Sequence, residues 1–299
     1  MYQSYIEKNF RDEAMRMINH INSIVIDYDE QGYTMTVRQL YYQLVASDLI
    51  PNDLNSYKRI AGLINDGKLA GLIDWDGIED RTREFIRRPS WDSGYSILQA
   101  SADSFHMDMW DNQRNRVFVV IEKEALVGVL ENTCRSLDVP ILAARGYPSG
   151  TVLREFAEED VIPALYENKN VTVLHLGDHD PSGLDMTRDL AERLRLFCGE
   201  HPGQIDRLEI KRIALNMEQI QEFRPPPNPA KTTDARFRDY RRKHGDDSWE
   251  LDALKPQYLN DLVRDEIKAL TDSYEWTVRR EEIDAIRNKL QITAINFKE

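Results

Sequence analysis

The chain has 299 residues, 41% hydrophobic and 30% charged, with a formal net charge of −13. This composition fits a globular protein with one large core or two of ordinary size, and apolar runs such as VFVVI fall far short of the ~20 residues needed to cross a bilayer. The acidic balance argues mildly against nucleic acid as a partner, since phosphate binding is driven by Lys and Arg, although residues 231–243 carry six Lys/Arg against two Asp.

The opening residues carry acids and no apolar core, unlike a secretory signal. Cys134 and Cys198 have no metal-like spacing, and a reducing, cytoplasmic setting is expected. The first well-marked element is YTMTVRQLYYQLVASDLI, residues 33–50. Thr36 followed by Gln39 reads as a capping box, with Met35 and Leu40 as its hydrophobic staple. Val37, Leu40, Tyr41, Leu44 and Val45 then recur at helical spacing, so Tyr41 is expected in the core. Tyr42 is expected off that face, one turn from Arg38.

A cation beside a tyrosine has a chemical use. The phenol ionises only near pH ~10. A neighbouring guanidinium favours the phenolate and steadies charge on a phosphate under attack. The plainer alternative is an Arg–Tyr stack without chemistry. In the next helix, NSYKRIAGLINDGKLAGLI, Tyr57, Ile60, Ala61 and Ile64 share one face. Lys58 and Arg59 lie on another, available to phosphate. The segment IDWDGIEDRTREF fits a wing, despite its acids. Phosphate contacts without base-reading residues would give sequence-tolerant binding.

The texture changes over residues 85–115. Beyond it, VFVVI, PILAARG, VTVLHL and RLEIKRIAL alternate with helical patterns, the mark of βαβ units and a parallel sheet. The expected layout is an N-terminal helical domain over 1–90, a linker over 91–114 and an α/β domain with a C-terminal extension over 115–299. FRPPPNPAKT must run extended, because its prolines forbid helix. The basic stretch after it reads equally as a phosphate-facing surface or a solvated charged face.

Two of the strands end in acid. VFVVI runs into Glu122-Lys123-Glu124, and VTVLHL into Gly177-Asp178-His179-Asp180. Ligands of parallel α/β sheets sit at such strand ends. Crowded carboxylates are relieved by a hard cation such as Mg²⁺. Asp178 and Asp180 are two apart, so in an extended segment they point the same way and can share an ion. Either Asp alone is equally a turn or N-cap residue, and Lys123 is a competing partner for the acids. Gly183 lets the chain turn into the next helix. Asp185 and Glu124 are candidates for a second metal.

The segments VVIEKEAL, ARGYPS and LGDHDPSG, in this order, resemble the Toprim domain of the topoisomerase VI A subunit and its meiotic recombination relatives. TVRQLYYQL resembles that family's active-site helix, and SWELDAL is similar to a segment near its end. The resemblance covers the whole chain and is closest to the small stand-alone relatives called Mini-A. It implies a CAP-like winged-helix domain followed by a Toprim domain. Tyr42 would be the nucleophile, assisted by Arg38, while Glu122, Asp178 and Asp180 bind Mg²⁺ (or Mn²⁺) beside the scissile phosphate. Lys58, Arg59 and Lys123 would contact the DNA. It further implies a nucleoid-associated homodimer that breaks double-stranded DNA, the tyrosine of one protomer working with the metal site of the other. No GHKL-type ATPase motif is present in the sequence, so strand passage would require a separate ATPase subunit.

Two other functions compete. A hydrolytic Toprim nuclease would use metal-activated water and need no Tyr42. A non-enzymatic DNA-binding module would not need the acids, which are costly without their ion.

Overall fold

Val117, Val119 and Ile121 pack into one buried cluster while the residues between them, Phe118 and Val120, pack into another. A strand apolar on both faces belongs in the middle of a covered sheet, and this computed structural model places it there. It describes residues 2–31, 34–79, 88–199 and 204–297.

The N-terminal part is helical. α1 (Asp12–Glu30) buries Ile18, Ile21, Val25 and Tyr28 at helical spacing. A two-residue strand, β1 (Met35–Thr36), leads into α2 (Val37–Ala46), where the Thr36–Gln39 capping box forms. In α3 (Leu54–Leu69) the first-turn amides of Asn55 and Ser56 both donate to Asp53 at 2.9 Å, and Ile60 and Ile64 point inward. β2 (Ile78–Glu79) pairs with β1 in parallel. The rest of the expected wing, residues 80–85, lies outside the described residues. These elements share one hydrophobic cluster of their own.

α4 (Gly94–Ser104) follows and packs against the last helix, α12 (Ser273–Ile295). The sheet is built from β3 (Asn115–Ile121), β4 (Ile141–Ala143), β5 (Asn170–Leu176) and β6 (Leu208–Ala214). These are the four strands expected from the sequence. All neighbours are parallel, in the order β4-β3-β5-β6. α5 (Val127–Ser136) and α11 (Pro256–Ala269) cover one face. α6 (Gly150–Phe156), α7 (Ile162–Tyr166) and α8 (Pro181–Cys198) cover the other.

After α9 (Met217–Phe223), the prolines run extended into β7 (Asn228–Pro229). α10 (Phe237–His244) then leads to β8 (Asp247–Ser248), which pairs antiparallel with β7. Among the described residues, no helix is long and apolar enough to cross a membrane.

The strand order matters for the site. From β3 the chain first steps outward to β4, then returns to β5 on the opposite side of β3 and continues to β6. The crevice at the carboxyl ends of β3 and β5 is therefore the topological switch point, where parallel sheets leave room for ligands.

Candidate active site

Because Ile121 lies opposite Leu176, the residues that follow emerge side by side. Glu122 N–H donates to the Leu176 carbonyl at 2.9 Å, and its carboxylate Oε2 accepts from the Asp178 amide at 2.8 Å. A Cβ on Gly177 would meet that same oxygen at 2.9 Å, so the glycine allows this close approach. Gly183 has a similar reason. A side chain there would run into the Asp178 carbonyl, so a close backbone approach, rather than freedom to turn, requires the glycine.

Asp180 is the N-cap of α8, accepting from Gly183 N–H at 2.6 Å and Ser182 Oγ at 2.8 Å. Asp178 Oδ1 instead accepts from the Leu251 amide at 2.8 Å. The two aspartates thus have separate partners, although both line the same cleft.

Arg212 on β6 holds the turn from behind. Its guanidinium donates to the carbonyls of Gly177 (2.8 Å), Asp178 (2.7 Å) and Gly183 (2.9 Å). Burial pushes it down to about 10, against the pull of Glu122, Asp178 and Asp180.

The segment Trp249-Glu250-Leu251-Asp252 completes the acid cluster. Trp249 and His179 exchange backbone hydrogen bonds at 2.8 and 3.0 Å, which lays this segment along the aspartate turn. Lys123 Nζ then stands 2.6 Å from Asp252 Oδ1, 2.7 Å from Glu250 Oε2 and 3.0 Å from Asp178 Oδ1. Of its two expected roles, a DNA contact and a partner for the acids, the structure shows the second. Here it points inward, because three carboxylates hold its ammonium.

The tyrosine helix closes the other side. Tyr42 was expected on the polar face, yet only 6% of its surface is exposed. Its ring joins the N-terminal core cluster, beside Tyr41, and its hydroxyl is met from the far end of the chain. Its hydroxyl donates to Glu250 Oε2 at 2.6 Å. Arg38 Nη2 lies 3.5 Å from that hydroxyl and 3.2 Å from Glu250, and Arg38 Nε lies 3.4 Å from Asp252 Oδ2. Tyr41 is buried as expected, with its hydroxyl 3.1 Å from Asn52 Oδ1 and from the Asp53 carbonyl. Between the tyrosine helix and the acid turn lies a cleft of about 500 Å³, lined among others by Arg38, Tyr42, Asp178, Asp180 and Glu250.

The electrostatics are lopsided. Burial drives Asp178 up to about 7; Lys123 opposes the shift, while Glu122 and Asp252 add to it. Glu122 and Asp252 are also raised, again chiefly by burial. Burial would raise Glu250 too, but Lys123, Tyr42 and Arg38 overcome it and bring the carboxyl down to about 2. Burial, the Asp252 charge and the bond to Glu250 hold the Tyr42 phenol well above its ordinary value, with Lys123 opposing.

Asp252 Oδ2 is buried without a hydrogen-bond partner. Glu122, Asp178, Asp180, Glu250 and Asp252 outnumber the cations Lys123, Arg38 and Arg212. Surplus carboxylate oxygen of this kind suits a hard divalent cation in its donor chemistry. As the side chains stand, no group of three or more His, Cys, Asp or Glu among the described residues could hold a metal ion. Lys123 occupies the centre.

The remaining expected residues lie apart. Lys58 and Arg59 are exposed on α3, with Arg59 3.9 Å from Glu13. Glu124 pairs with Arg145. Asp185 is held by Tyr147 at 2.7 Å, Arg188 at 2.7 Å and Arg236 at 3.1 Å. In the basic stretch, Arg236, Arg241 and Arg242 pair with aspartates, Tyr240 is buried, and Lys231 lines the cleft.

Sequence reasoning missed Glu250, Asp252 and Arg212. The first two carried a readable signal: acids alternating with Trp249, Leu251 and Leu254 in a short apolar segment, where charge is rarely buried without purpose. Among known proteins, the chain matches no family model and no curated sequence.

Proposed function

We infer that the protein is a metal-dependent DNA-cleaving transesterase of the topoisomerase VI A type, with a Toprim-like sheet domain and a winged-helix-like N-terminal domain. One observation carries this reading. Tyr42 and the aspartate turn, assigned to one reaction from two separate motifs, face a single cleft at the switch point of the sheet.

Tyr42 attacks a backbone phosphorus. A phosphotyrosyl bond forms, the phosphorus–3′-oxygen bond breaks, and the 3′ end leaves as a hydroxyl. Glu122, Asp178 and Asp180 would hold Mg²⁺, or Mn²⁺ in its place, which supplies Lewis-acid stabilisation of the phosphate and of the leaving oxygen. Arg38, half-exposed at the cleft, is placed to neutralise the phosphate under attack. Lys58 and Arg59 offer sequence-independent phosphate contacts. Cutting both strands takes two tyrosines and hence a homodimer on double-stranded DNA. Any strand passage would need a separate ATPase subunit. The related family pairs each tyrosine with the partner's acids, whereas in this chain Tyr42 lies against acids of its own polypeptide.

The test is cleavage of supercoiled plasmid with Mg²⁺ or Mn²⁺, followed by denaturation and a search for protein on the DNA ends. Wild type is expected to linearise or nick the plasmid and remain attached, and Tyr42→Phe and Asp178→Ala to do neither. Free ends from a still-active Tyr42→Phe, with Asp178→Ala dead, would make it a hydrolytic Toprim nuclease instead.

A further inference from the structure

Glu250 belongs to neither motif assigned above, yet it is the carboxylate on which the tyrosine hydroxyl rests. The Tyr42 oxygen lies 2.6 Å from Glu250 Oε2, the length of a charge-assisted O–H···O⁻ bond. The other nearby acids are held otherwise, with Asp252 facing Lys123 through Oδ1 and Arg38 through Oδ2, and Asp178 Oδ1 held by Lys123 and the Leu251 amide; the tyrosine hydroxyl meets only Glu250 among them. Glu250 is also well fixed. Its Oε1 accepts from Asn228 Nδ2 at 3.3 Å, Lys123 and Arg38 grip Oε2, and its backbone follows directly on the Trp249–His179 bridge.

We propose that Glu250 is the general base of the cleavage step, taking the proton of Tyr42 as the phenolic oxygen attacks phosphorus. This rests on the transesterase reading above. In the step, the Tyr42 O–H bond breaks and its proton passes to Glu250 Oε2. The Tyr42 oxygen–phosphorus bond forms, the phosphorus–3′-oxygen bond breaks, and the departing 3′ oxygen takes a proton from water. Glu250 then returns its proton to solvent.

The charges facing this carboxylate explain why the proton stays on tyrosine until DNA arrives. Lys123 and Arg38 both face Glu250, with Asp252 behind them. Two cations on one carboxylate make it a poor proton acceptor. A phosphodiester entering the cleft competes for Arg38, whose side chain is 51% exposed. Bidentate phosphate is a good partner for guanidinium. As Arg38 turns to the phosphate, Glu250 loses one counter-charge and gains affinity for the proton. The substrate thereby arms the base that activates its attacker.

The experiment is the single-turnover rate of protein–DNA adduct formation between pH 6 and 10 for wild type, Glu250→Gln and Glu250→Asp. DNA binding is followed by anisotropy and folding by melting. Glu250→Gln is expected to slow the adduct about 100-fold near pH 7 while DNA binding is kept or tightened, since Arg38 is released to the phosphate. The deficit should shrink as pH rises, because hydroxide replaces the missing base. Glu250→Asp, which keeps a carboxylate, is expected to retain the wild-type profile shape at a lower rate, and it carries the test should Glu250→Gln fold poorly. A deficit constant across pH would reduce Glu250 to a structural role. A wild-type or faster rate in Glu250→Gln would overturn the proposal, the faster rate making the contact a restraint on Tyr42. If wild type forms no adduct, or Tyr42→Phe still cuts, the transesterase reading fails and this proposal with it. If wild type forms the adduct and Glu250→Gln forms it equally fast, this proposal fails while the transesterase reading stands.

Discussion

The acid end of the sheet and the tyrosine helix meet in one cleft but are held there by different means. On the sheet side, Glu122 and Asp178 continue two paired strands whose faces are both buried, and Arg212 ties the turn down through three carbonyls. Backbone ladders and a packed core resist displacement. On the tyrosine side, α2 belongs to a separate hydrophobic cluster. It reaches the acids through polar side chains: Tyr42 and Arg38 to Glu250, Arg38 to Asp252, and Asn52 to Asn228. Half-exposed ion pairs such as that of Arg38 contribute at most about 1 kcal/mol. The acid side is therefore a fixed template, and the tyrosine helix is the adjustable partner.

The sharpest way to break this comparison is to ask whose acids Tyr42 uses. Tyr42→Phe chains are mixed and re-dimerised with Asp178→Ala chains, then assayed for nicking. If each tyrosine works with the acids of its own chain, as the Tyr42–Glu250 contact implies, the mixture is as dead as either parent. Nicking restored in the mixture would mean that the helix leaves its own sheet to serve the partner's.

Rigidity of the acid turn predicts the next effect. Gly183→Ala forces a methyl against the Asp178 carbonyl, with an expected loss of about 1–3 kcal/mol in denaturant unfolding. A loss near zero would show that the turn yields.

A smaller effect is a pH dependence of stability. Burial raises the Asp178 carboxyl to about 7, so the folded state holds this proton more tightly than the unfolded chain does. That contribution is complete below the ordinary aspartate range and is lost as pH climbs through about 7. The melting temperature without divalent cation should therefore decline over this window by several degrees, and Asp178→Asn should flatten the decline. An identical slope in the variant would mean that other groups set it.

The smallest effect concerns DNA binding away from the cleft. Lys58→Ala and Arg59→Ala are each expected to weaken binding several-fold, regardless of sequence, and to lower the salt slope by about one. No change in slope would remove α3 from the interface.

Much of this architecture was legible beforehand. The four strands announced themselves as short apolar runs between helical patterns, and the capping box placed the start of α2 at Thr36. Both signals are local, so periodicity and cap chemistry suffice to read them. Other features depended on residues far apart in the chain. Tyr42 looked solvent-facing because it lies off the apolar stripe of α2, yet its ring joins the same N-terminal cluster. Its hydroxyl is met by Glu250, 208 residues further on. Lys123 was legible as a partner for acids as well as for DNA, but nothing near it in sequence revealed that Glu250 and Asp252 would be among those acids.

The sequence by itself determined the alternation of strands and helices, the acids at two strand ends, and an Arg–Tyr pair one turn apart, since each follows from spacing along a short segment. Only the tertiary structure decided that β3 and β5 are neighbours, that Lys123 occupies the middle of the carboxylates, and that Glu250 receives the tyrosine hydroxyl. These depend on strand order and on the backbone bridge between Trp249 and His179. Such contacts join segments 56 to 208 residues apart, and the burial that brings them together is a property of the whole packed molecule rather than of any stretch of it.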